Sequence, residues 1–133
     1  MTRHLLACSL VALSVACGDS SGGAAPADGL DPAARGLCDA IDLAAAGDVP
    51  AADAAFQDRV HQYLHDLADR LAAFDREASG DLLEAKQRVE AGLAEGGTVG
   101  EVHGSMTALY RELVVAAAAA GLAAPPCQGA KAP

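Results

Sequence analysis

His61 and His65 stand four residues apart, and Glu90 and His103 follow in the next two helix-forming stretches. On one helix, imidazoles at that spacing share a face, the geometry with which two-histidine sites reach a single metal ion. A carboxylate and a further imidazole from facing helices would complete the ligand set that helical bundles use. His61, His65, Glu90 and His103 are therefore the candidate ligands for a transition metal ion. The pattern departs from a di-iron site, which wants Glu-x-x-His. This chain offers His-x-x-x-His on one helix, and on another Glu101 and His103 on different faces.

A plainer reading competes and is preferred, with no cofactor held. At about 100° per residue, His65 points to the polar side with Asp58 and Asp69, while His61 sits nearer the edge of an apolar stripe. His103 falls beside Tyr110 and Val114, on the flank of another. Lys86 and Glu90 lie one turn apart between Leu82 and Leu93, close to apolar residues. The expectation is that Lys86 lays its methylenes along the core, sends its ammonium to water and pairs with Glu90.

Other chemistry has no support in the motifs. There is no C-x-x-C-H for haem, no G-x-S-x-G around Ser79 or Ser105, no H-E-x-x-H, and no glycine-rich loop after a strand. No catalytic residue is assigned and the chain is not expected to be an enzyme. A formal charge of −9, with no run of Lys or Arg, repels phosphate backbones and argues against nucleic-acid binding.

The elements that must position these side chains are helices. About half of the 133 residues are apolar, mostly Ala and Leu, with only four Phe and Tyr and no Trp. That composition favours helix over strand. Asp31 with Pro32 starts a helix over 32–46 that Gly47 ends. Asp48 caps a long second helix, whose stripe of Phe56, Val60, Tyr63, Leu64, Leu67, Leu71 and Phe74 recurs at three and four residues. Ser79-Gly80-Asp81 is expected to break it and cap a third helix carrying Leu82, Val89 and Leu93. Gly96-Gly97 ends the third, and Thr98-Val99-Gly100-Glu101 has the form of a capping box that opens the fourth. Short connections between such helices predict an all-α, up-down four-helix bundle.

The two ends of the chain differ from this domain. Arg3 precedes an apolar stretch of eleven residues, Leu5 to Val15, followed by small residues, the layout of a secretory signal peptide and too short for a membrane span. Leu13-Ser14-Val15-Ala16-Cys17 resembles the lipobox of bacterial lipoproteins. Leu5-Leu6-Ala7-Cys8 fits the same pattern but leaves almost no apolar segment ahead of it. The resemblance implies cleavage before Cys17, diacylglycerol on its sulfur, acylation with fatty acids such as palmitate, and a membrane lipid as partner. Residues 1–16 are then the signal peptide, 17–30 a Gly/Ser/Ala/Asp linker, 31–127 the helical domain, and 128–133 a disordered tail. The domain resembles the small helical lipoproteins of high-GC bacteria.

Export has a consequence for the remaining cysteines. An exported domain meets an oxidising environment, and an up-down bundle brings the start of its first helix and the end of its fourth to one end. Cys38 and Cys127 are therefore expected to form a disulfide. The function expected from these residues is that of a membrane-tethered, extracytoplasmic binding or structural module, with a metal-handling lipoprotein as the alternative and an unnamed protein as the possible partner.

Overall fold

The computed structural model describes residues 27–127, so the expected signal peptide, Cys17 and residues 128–133 lie outside the described residues. Five helices make up the domain: α1 (Ala27–Ala45), α2 (Val49–Arg59), α3 (His61–Leu71), α4 (Arg76–Ala94) and α5 (Val99–Ala119), with no strand among the described residues. The all-helical expectation holds, but the helix count differs because the second element is broken at Val60.

Helix α1 starts earlier than Pro32 suggests. Its first turn takes in Ala27 to Leu30, and Leu30 is buried in the core, which ties that turn to the domain rather than to the linker. Leu30, Ala33, Ala34, Leu37, Ile41 and Ala44 recur at helical spacing and are all buried. The helix ends as expected at Gly47, whose φ of 86° is the left-handed conformation an L side chain resists. The Gly47 and Asp48 amides close the last turn on the carbonyls of Ala44 and Leu43.

Asp48 then caps α2, accepting a hydrogen bond from the Ala51 amide at 3.1 Å. Pro50 falls in the first turn, where its missing N–H costs nothing. At Val60 the backbone leaves the regular helix, with φ −116° and ψ −47°, and α3 begins without a side-chain cap. Val60 is fully buried at this break. Gly36 of α1 lies against it so closely that a Cβ there would come within 2.8 Å of the Arg59 Cβ.

The next boundary also moves. Asp75, not Asp81, caps α4, accepting from the Ala78 amide at 3.0 Å, and Ser79-Gly80-Asp81 lies inside the helix. Phe74 leaves the expected apolar stripe and sits in the α3–α4 turn, 64% exposed. Thr98 and Glu101 form the full capping box at the start of α5.

Packing follows the chain. Helix α1 lies against α2 and α5, and α4 lies against α3 and α5. Helices α3 and α4 are antiparallel, since His61 meets Glu90 at one end of the contact and Ser79 meets Ala68 at the other. Between them lies one core of Leu, Ala and Val with Phe56 and Met106 fully buried. Full burial of a Leu contributes about 1.5–3 kcal/mol. Cys38 and Cys127 are joined in a disulfide with Cα atoms 5.3 Å apart, as expected. No described helix is long and apolar enough to cross a membrane.

Candidate functional site

Two polar groupings stand out, one within the α3–α4 seam and one around the disulfide. The first begins at His61, the opening residue of α3. Its ring meets Phe56 edge-on at 6.2 Å and His65 at 5.0 Å between centroids. His61 Nδ1 is 2.9 Å from Glu90 Oε1, yet it has no aligned hydrogen bond, so the approach is a close polar contact rather than a directed bond. The same carboxylate oxygen accepts a hydrogen bond from Lys86 Nζ at 2.7 Å.

The Lys86–Glu90 pair forms as its spacing predicts, with one correction. The Lys86 side chain is only 4% exposed, so its ammonium is covered rather than sent to water. Helices α3 and α5 both pack against α4. Glu90, at 31% exposed, remains partly solvated and serves as the counter-charge. A buried ammonium without such a partner costs several kcal/mol.

The four candidate metal ligands are only partly gathered. His61 reaches Glu90 and has His65 one turn away, and all three side chains are partly covered. His103 is half-buried on α5, as its position on the flank predicts. Among the described residues no group of three or more His, Cys, Asp and Glu side chains could hold a metal ion. Lys86 already places a positive charge on Glu90 Oε1. As arranged, these residues make a small polar cluster and gather no set of three metal ligands.

Two further polar atoms in α3 are unpartnered. The Tyr63 hydroxyl and Arg70 Nη1 are buried without a hydrogen-bond partner among the described residues. Burial pushes the Tyr63 phenol above its ordinary range, and the Arg70 charge offsets part of that rise.

The second grouping was not read from the sequence. Arg35, Cys38, Asp39, Asp42, Arg59, Pro125 and Pro126 line an open groove of about 620 Å³. Arg59 crosses from α2 to α1 and donates to Asp39 at 2.6 Å. Both partners are about half exposed, so the pair adds little stability, about 0–1 kcal/mol. The tail that forms one wall is pinned by Tyr110, whose hydroxyl donates to the Pro125 carbonyl at 2.7 Å and accepts from the Cys127 amide at 3.2 Å. The Arg35 and Asp39 spacing, one helical turn, was the available signal. The prolines join it only after the disulfide returns the tail to α1.

This groove presents both charges in alternation beside a rigid covalent tie. Such a surface can orient a polar partner by charge, but it contains no nucleophile paired with a base. No protein-family model, curated protein or solved structure matches this chain.

Proposed function

We propose that this chain is a lipid-anchored, extracytoplasmic helical module that binds or scaffolds a partner rather than transforming a substrate. Its signal peptide is removed before Cys17, and acylation of that residue holds the domain at a membrane. The domain is an up-down four-helix bundle in which α2 and α3 form one rod broken at Val60. The groove between Arg35, Asp39, Asp42, Arg59 and the tail is the face offered to a polar protein partner.

The observation that carries this reading is the Cys38–Cys127 bond. Disulfides persist in oxidising compartments and are rare in reducing ones, so a domain closed by one suits export, as the leader and lipobox do. The bundle order is supported by the short connections at Ala46–Asp48, Ala72–Asp75 and Glu95–Thr98 and by the packing of α1 on α2 and α5. Two or three acyl chains on one residue hold a protein stably, where one chain is marginal.

The test is metabolic labelling of the full chain with an alkyne-bearing palmitate in a bacterial host, followed by membrane fractionation. The expected result is label and membrane association in the native chain, both lost in Cys17→Ser. Label that persists in Cys17→Ser, or an unlabelled native chain in the soluble fraction, contradicts the anchor.

A further inference from the structure

The two ends of the bundle carry different surfaces. At one end the connections are Ala46-Gly47-Asp48 and Glu95-Gly96-Gly97-Thr98, polar turns beside Glu101, with Val99 the one large apolar side chain exposed there. At the other, the α3–α4 turn exposes Ala72, Ala73 and Phe74 together, and Phe74 is the most exposed large apolar residue of the described domain. Helix α5 finishes at that end as well, with Val115 58% exposed and Ala118 and Ala119 uncovered beyond it.

Ala27, the first residue of α1, belongs to this second end in the up-down order. Nine residues separate it from Cys17. However they are arranged, the ten Cα-to-Cα steps from Cys17 to Ala27 reach no further than about 36 Å, whereas the opposite end of the domain lies a further α1 length away, about 28 Å. An anchor at Cys17 thus holds the apolar end under a tighter bound than the polar end, and tethering makes a weak second contact effective without high affinity of its own.

Partly buried Arg70 and exposed Arg76 flank the turn together with exposed Asp69 and Glu77 and the capping Asp75, so its apolar side chains, not its charge, make the case for lipid. Aromatic side chains favour the boundary between headgroups and acyl chains.

We infer that the α3–α4 turn, led by Phe74, is a membrane-contact site that seats this end of the domain on the lipid surface. The inference rests on the lipid-anchor reading above. Contact at this site holds the charged groove beside the disulfide in a set orientation relative to the membrane.

The chain has no Trp, so a single one reports its own surroundings. Full-length, acylated Phe74→Trp is reconstituted into phosphatidylcholine vesicles with and without bromines on the acyl chains. Ala94→Trp, at an exposed site on the opposite end, is the control. The expected result is a blue shift of the Phe74→Trp emission on vesicle binding and a loss of intensity with brominated lipid, with neither for Ala94→Trp. Phe74 is exposed, so the substitution leaves the core intact, and circular dichroism of each variant checks the fold.

Two results overturn the inference, and they are distinguishable. A protein that carries acyl chains and sediments with vesicles, but whose Phe74→Trp emission stays that of water, removes the contact and leaves the anchor. A protein that lacks acyl chains and fails to sediment removes both. Quenching of Trp at both positions alike also overturns it, because it shows no preferred end.

Discussion

The seam between α1, α5 and the tail is closed by a covalent bond, whereas the seam between α3 and α4 carries buried and partly buried polar contacts. In the first, Cys38–Cys127 bridges a separation of 89 residues, and Tyr110 adds two hydrogen bonds that fix the returning tail. In the second, Lys86, Glu90 and His61 share one carboxylate oxygen, and the Ser79 hydroxyl donates to the Ala68 carbonyl at 2.8 Å. A covalent tie stabilises chiefly by restricting the unfolded chain and is lost by reduction. Polar contacts of the second kind add little net stability, but each costs heavily when one partner is removed. The lesson is that one seam supplies stability and the other specifies how its helices meet.

Four perturbations break or sharpen that contrast, beginning with the largest. Replacing both Cys38 and Cys127 by Ser is expected to lower unfolding free energy by about 4 kcal/mol on chain-entropy grounds, measured by urea denaturation. Reductant should then destabilise only the native chain. If the double variant is as stable as the native protein, the covalent seam is not what holds the domain.

Next comes the asymmetry within the ionic seam. Glu90→Gln leaves the Lys86 ammonium covered without a counter-charge and is expected to cost about 2–3 kcal/mol, below the value for a fully buried pair because Glu90 is partly exposed. Lys86→Met replaces the covered charge with an apolar chain and is expected to stay within about 1 kcal/mol of native. Equal losses in both variants would remove the distinction between stability and specification.

Single hydrogen bonds rank third. Tyr110→Phe removes two bonds to the tail and is expected to cost about 1–2 kcal/mol, and Ser79→Ala about 1 kcal/mol. In Tyr110→Phe the disulfide should also reduce faster, because the tail beside it is no longer held. Thiol trapping during a reductant time course checks this.

The smallest effect is that of pH on Tyr63. Its folded phenol titrates above the unfolded value because burial disfavours phenolate. The folded state then keeps the proton that the unfolded state releases, so this contribution is present below about pH 10 and is lost as pH rises through the folded value. Absorbance titration should show a phenol transition above the ordinary range that is absent in Tyr63→Phe. Because the Tyr63 hydroxyl is buried without a partner, the same variant is expected to be neutral or gain up to about 1 kcal/mol at neutral pH.

What could be read in advance divides along the same line. The covalent seam was legible, since two cysteines, Cys38 and Cys127, fall in the helical domain and the expected helix order brings them together. Local signals were legible too: the Gly47 turn, the Asp48 cap and the Thr98–Glu101 box depend on a few adjacent residues. The α3–α4 turn was not. Ser79-Gly80-Asp81 has the composition of a break, yet the Ser79 hydroxyl bonds across to α3, and α4 buries Leu82, Ala85 and Val89. That burial outweighs the cost of about 1 kcal/mol for a glycine inside a helix. Phe74 kept the apolar period but fell in a turn that the Asp75 cap defines. The Val60 break has no local marker. For the candidate site, Lys86 and Glu90 were readable as a pair, but the covering of Lys86 depends on how the other helices pack around α4, and the Arg35–Asp39–Arg59 groove depends on the disulfide.

The proposal that matters most is chemical modification of one residue, and intact mass of the protein purified from bacterial membranes tests it most directly. The expected value is that of a chain beginning at Cys17 and carrying two or three fatty acyl groups through glycerol and its amino group. A mass that includes residues 1–16, or an unmodified chain beginning at any other residue, contradicts it.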